Sequence, residues 1–98
     1  MYKICFYVPT SHAEEVKNSM FAKGAGKIGT YSCCAWQTLG EGQFMPLTNG
    51  EIDALEKISE LKIEMVCEDT YIAAVIEALK TSHPYEEPTY HVWRVENM

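Results

Sequence analysis

Two stretches of apolar alternation, each followed by a helical pattern, most constrain how this chain can fold. Tyr2, Ile4, Phe6 and Val8 alternate with Lys3, Cys5 and Tyr7, the period-two signature of a strand. Pro9 ends it. Ser11, with Glu14 three residues on, has the capping-box pattern. Ala13, Val16 and Met20 then follow at helical spacing up to Gly24, which predicts a helix over Ser11–Lys23. Leu61, Ile63 and Met65 alternate with Lys62, Glu64 and Val66. Asp69 or Thr70 then caps a second helix with the face Ile72, Val75, Ile76 and Leu79. His83-Pro84 ends that helix, because a residue before proline is pushed out of the helical region.

The remaining segments are less regular. Gly24-Ala25-Gly26-Lys27-Ile28-Gly29 is glycine-rich, but it follows a helix and leads into a strand. Phosphate-binding loops have the reverse order, since a helix N-terminus must receive the anion. A tight turn with positive φ at glycine is the expectation. Tyr31 to Leu39 reads as the second strand, Gly40-Glu41-Gly42 as a turn, and Gln43 to Leu47 as a short extended return. Glu51 to Ser59 is either a helix, with Ile52, Leu55 and Ile58 spaced for it and Thr48 or Asn49 as cap, or an irregular strand. Thr89 to Val95 is the last strand.

This order, βα followed by β(β)βαβ, predicts an α+β fold of the ferredoxin-like βαββαβ type, an antiparallel sheet with two helices on one face. At 98 residues the chain is expected to form a single domain over 1–98. One layer of helices covers one face of a sheet. The other face, where Tyr7, Cys33, Trp36, Tyr90 and Trp93 are expected, needs a cover, so self-association follows.

Charge and cysteine usage narrow the partners. The net charge is −6, and the eight basic residues are scattered singly, which argues against nucleic acid and anionic membranes as partners. No signal peptide or membrane-length apolar run is read in the chain. A cytoplasmic location is expected, with Cys5, Cys33, Cys34 and Cys67 as reduced thiols. Cys5 and Cys67 sit in apolar strand runs and read as core residues.

The densest titratable stretch is His83-Pro84-Tyr85-Glu86-Glu87-Pro88-Thr89-Tyr90-His91. Neighbouring Glu86 and Glu87 diverge on an extended chain, so an acid–base pair would need one of them with Glu14 or Glu15. A divalent metal could be held by His83 with Glu86 or Glu87 and His12, although the spacing matches no metal motif. The plainer reading is a structural connector or subunit contact. His12 reads most simply as a surface residue of the first helical turn, and a Cys34 nucleophile would need a base brought to it by folding.

Val8-Pro9 with His12-Ala13-Glu14-Glu15-Val16, then Gly24-Ala25-Gly26-Lys27-Ile28-Gly29-x-Tyr31-x-x-Cys34, then Gly42-Gln43-Phe44-Met45-Pro46-Leu47, then His83-Pro84-Tyr85-Glu86-Glu87-Pro88-x-Tyr90 resemble the inserted domain of the Nif-three-like (YqfO-type) family. The likeness runs through nearly the whole chain. It implies a PII/CutA-like fold and, because CutA and PII proteins assemble as trimers, a trimer rather than a dimer. In that family the insert is accessory to a larger fold with a two-metal site, so the family's GTP cyclohydrolase assignment is not expected here. The resemblance points to a non-catalytic module that binds a small ligand or protein partner. His83, Tyr85, Glu86, Glu87, Tyr31 and Cys34 are the candidate contacts, and His83, Glu86 and His12 the candidate metal ligands. A divalent-metal-binding protein is the alternative, and a small enzyme with an inter-subunit site the third reading. Three departures from the family stand out. His91 replaces an acidic residue, Cys33 is extra, and the stretch between Leu47 and Ile58 is short.

Overall fold

The structure, a computed structural model, describes residues 1–48, 51–52 and 54–96. Among these residues the elements run β1 (Tyr2–Pro9), α1 (Ala13–Ala22), β2 (Trp36–Phe44), β3 (Leu47–Thr48), β4 (Glu51–Ile52), β5 (Glu56–Cys67), α2 (Ile72–Ser82) and β6 (Tyr90–Arg94). β2, β5, β1 and β6 form a sheet in that order, antiparallel at every join. Each helix therefore links two parallel strands that have a third strand between them, the expected split arrangement. β3 and β4 pair with each other as a separate short ribbon. No helix among the described residues is long and apolar enough to cross a membrane.

Residues directly opposite one another share a sheet face. The β1–β5 register puts Ile4, Phe6 and Val8 beside Met65, Ile63 and Leu61. That face meets Val16 and Met20 of α1 and Val75 and Leu79 of α2 in one buried cluster. Lys3, Cys5 and Tyr7 lie opposite Val66, Glu64 and Lys62 on the helix-free face. The pairs Trp36↔Glu64, Lys3↔Trp93 and Cys5↔His91 put both tryptophans there too. Tyr90 is opposite Phe6 and packs on the helix side, contrary to expectation. Cys33 also departs from it, lying in a loop before β2 with a left-handed φ of 58°. Cys5 and Cys67 are both buried, and burial pushes the Cys67 thiol up, with Glu68 and Asp69 adding to the shift.

Several local readings change, and neither Asp69 nor Thr70 caps α2, whose N-cap is Tyr71 without a side-chain hydrogen bond. Ser11 does not cap a helix. It sits in a short 3-10 turn, Thr10–His12, and its hydroxyl meets His12 Nδ1 at 2.9 Å. Tyr31 to Ala35 is loop rather than strand. Gly26 N–H donates to Val66 O and Cys34 N–H to Gly26 O, both at 2.8 Å, which ties the loop to the end of β5. A Cβ on Gly26 (φ 79°) would stand 2.8 Å from the Phe21 ring, so glycine is required there. Gly40-Glu41-Gly42 is not a turn. It lies inside β2, opposite Glu60, Ser59 and Ile58, because the ladder with β5 continues through it. Glu51–Ile52 and the stretch from Glu56 are extended rather than helical, and the candidate cap Asn49 lies outside the described residues.

β1 stops at Pro9, opposite Glu60, while β2 and β5 pair on to Phe44↔Glu56. The two strands leave the sheet as a ribbon, and the molecule measures 50 × 25 × 22 Å. Phe6→Ala removes the largest fully buried side chain and should cost about 3–5 kcal/mol in urea unfolding. Glu77→Ala, on the exposed side of α2, should stay within about 0.5 kcal/mol. Equal costs would show that the stabilising core is not the cluster between helices and sheet.

Candidate functional site

The His83-Pro84-Tyr85 segment leaves α2 by an extended step at His83 (φ −70°, ψ 140°). The His83 side chain turns inward and is only 6% exposed. Tyr85 N–H donates to His83 Nδ1 at 3.1 Å, and His83 Nε2 lies 2.7 Å from Tyr7 O. A backbone N–H can only donate, so Nδ1 is the acceptor. Nε2 then carries the proton and donates to the Tyr7 carbonyl. Both ring nitrogens are used, and His83 ties the end of α2 to β1. The His83 and Tyr85 rings stand 5.1 Å apart, tilted.

This anchoring sets Tyr85 at one end of the helix-free face. A cavity of about 340 Å³ there is lined by Tyr7, Glu60, Tyr85, Thr89 and His91. A second, also about 340 Å³, shares Glu60, Tyr85 and Thr89 and extends to Gly42, Phe44 and Glu87. A third, about 220 Å³, runs from Tyr7 and Glu60 to Thr38, Glu41 and Lys62. Glu60 lines all three. Its carboxylate folds over β2, where a Cβ on Gly42 would stand 2.6 Å from Glu60 Cδ. Burial, and then the Glu60 charge, push the Tyr85 phenol above the ordinary tyrosine range.

A different cavity, about 310 Å³, lies at the opposite end of the same face. Cys34, Ile28, Trp36 and the Lys3–Glu64 ion pair (3.1 Å) line it. The Cys34 thiol reaches Ser32 O at 3.9 Å, and among the described residues no general base accompanies the sulfur in a hydrogen bond. Tyr31 exchanges backbone hydrogen bonds with Ile28 and is 74% exposed.

The sequence candidates are thus divided. Tyr85 and Glu87 share a groove, and Cys34 lines the distant cavity. Glu86 and Tyr31 are exposed and line neither. His83 supports the groove from beneath. His12 is half-buried against Ser11. Among the described residues no three His, Cys, Asp or Glu side chains are grouped to hold a metal ion. His83, Glu86 and His12 are therefore not assembled as a ligand set, the physical reason being that both His83 nitrogens are engaged by backbone. Glu60 and Gly42 were not among the candidates. The signal for Glu60 was the polar phase of β5, since Glu60, Lys62 and Glu64 fall on the side opposite Leu61, Ile63 and Met65.

NMR titration should find the Tyr85 phenol ionising above the ordinary tyrosine range. Glu60→Gln should lower its midpoint, because the carboxylate opposes the phenolate. A midpoint unmoved by that change would separate Tyr85 electrostatically from Glu60.

No family model matches the chain. It is 41% identical over 96 residues to a GTP cyclohydrolase 1 type 2 homolog of Mycobacterium leprae, covering 93% of this chain and 25% of that protein. It is 40% identical over 99 residues to the Bacillus subtilis homolog, covering 96% and 26%. The chain spans about a quarter of the length of these relatives. A Bacillus cereus protein related to NIF3 superposes with a TM-score of 0.86 at 40% identity, covering 98% of this chain and 26% of that one. CutA from Archaeoglobus fulgidus gives 0.70 at 19% identity, covering 100% and 87%. The Bacillus subtilis GlnK–ATP complex gives 0.67 at 15%, covering 96% and 80%. The chain is therefore a homologue of a quarter-length part of the NIF3-related proteins, with the ferredoxin-like fold of CutA and GlnK.

Proposed function

We propose that the chain is a non-catalytic, self-associating PII/CutA-like module that covers its helix-free sheet face with other copies and holds a small ligand or protein partner in the Glu60–Tyr85 groove. The observation that carries this reading is the apolar surface left without a cover. Trp36 (59% exposed) and Trp93 (47%) stand on the helix-free face, and Leu39 (67%) is exposed on edge strand β2. A long apolar edge strand invites pairing with another chain, and large exposed aromatics on one face mark an interface. The trimer implied by the resemblance satisfies both.

The chemistry of the two cavities supports a binding role over catalysis. Among the described residues the Cys34 thiol has no base in hydrogen-bond contact, and the buried histidine spends both nitrogens on backbone. The activity named for the longer relatives is not carried to this chain.

Light scattering at micromolar concentration should give a mass three times the 11.1 kDa of the chain. Trp36→Glu with Trp93→Glu should return it to a monomer with unchanged circular dichroism, since both side chains lie outside the core. A monomeric parent, or a double variant that still assembles, would refute association through this face.

A further inference from the structure

The groove has a chemical preference of its own. Glu60 lines three adjoining cavities. Among the described residues its carboxylate has no ion-pair partner, and neither has Glu87 in the adjoining cavity. The strand beside it is cleared of side chains. Gly40 is directly opposite Glu60, with nothing within 4 Å of where its Cβ would be, and Gly42 is where the carboxylate rests. Glycine inside a strand weakens it and commonly marks a close approach by a ligand or another backbone. Tyr7, Tyr85 and His91 line one of the cavities that Glu60 shares, and Phe44 and Tyr85 line the one over Gly42. A carboxylate without a donor, set among aromatic rings on a chain of charge −6, suits a cation that brings its own N–H donors.

Other ligand classes fit less well. A hard divalent cation needs several oxygen ligands, and no three-residue group of acidic, histidine or cysteine side chains is assembled among the described residues. A phosphate-bearing ligand would meet Glu60 and, in the adjoining cavities, Glu87 and Glu41. Lys62 borders only the cavity on the Thr38 side, so the cationic end belongs on the Tyr85 side.

We propose that the Glu60 recess binds a small organic cation, a primary ammonium or guanidinium group on an aliphatic chain, with Glu60 as counter-ion and Tyr7 and Tyr85 flanking the chain. This rests on the groove being the binding site but not on self-association, because one copy supplies all of the lining. The test is an NMR titration of the full chain with agmatine, with 1,4-butanediol as the uncharged control and the mass followed by light scattering on the same samples. Saturable shifts at Tyr7, Tyr85, Thr89 and His91 are expected with agmatine and none with the diol. Glu60→Gln should weaken binding about tenfold or more, the loss of one charge-assisted bond. Gly42→Ala, which drives the carboxylate off its seat, should also weaken it and serves as a second variant. Absence of saturable shifts, shifts scattered over acidic residues, or affinity unchanged in both variants would overturn the proposal. So would a mass that falls as agmatine is added while Glu60→Gln alone is monomeric. In that case the recess holds a basic side chain of a neighbouring copy. A wrong mass with normal agmatine binding would sink the assembly and leave the site standing.

Discussion

Two helices cover one side of a four-stranded sheet, and the rest of this molecule follows from that shortage. The covered side takes the apolar phase of β1 and β5, where Ile4, Phe6, Val8, Ile63 and Met65 are all buried with Val16, Met20, Val75 and Leu79. The opposite phase of the same strands has no helix over it, and apart from the small, buried Cys5 its composition is mixed. It holds Lys3, Tyr7, Glu60, Lys62 and Glu64 beside Trp36 and Trp93. A face meant only for water would be polar throughout, and one meant only for a dry interface would be depleted of charge at its centre. Charge and aromatic surface together suit a face that is partly covered by another chain and partly used to hold something.

How much of this could be read in advance depended on the range of the interaction. The apolar alternation at Tyr2–Val8 and at Leu61–Val66 is local, and both strands are where it placed them. The helix faces are local too, and Val16, Met20, Val75 and Leu79 are buried as spaced. Gly40-Glu41-Gly42 carried strong local turn chemistry, yet it lies within β2 because pairing with β5 outweighs glycine's preference for turns. Tyr31 to Ala35 carried strand-like residues. It is loop because Gly26 and Cys34 tie it to Val66, forty residues from Gly26 in sequence. Ser11 kept its capping pattern but spends its hydroxyl on His12.

The candidate site was legible to the same degree. The titratable segment was visible as a string, and Tyr85 and Glu87 do line a groove. The residue all three cavities share was not visible. Glu60 reads as one more solvated strand carboxylate until the register brings Gly40 opposite it and Tyr85 over it. Its significance lies in the missing side chain at Gly42, a fact about pairing that no single segment contains. His83 illustrates the converse. Its residue type suggests a ligand, and only the fold shows both nitrogens occupied.

That histidine connects the core to the groove. One ring accepts from the Tyr85 backbone and donates to the Tyr7 backbone, with the two nitrogens at different edges of one rigid ring. The side chains of these same two residues flank the Glu60 recess. The separation of the two tyrosines is therefore held from below by a buried group that touches nothing in the recess itself. Buried polar groups that are fully hydrogen-bonded specify a unique arrangement, and a partly satisfied one costs more than an apolar replacement. An apolar side chain at position 83 would leave the Tyr7 carbonyl and the Tyr85 N–H unpaired and free the segment after α2 to move. The groove would lose its geometry before it lost any residue that lines it.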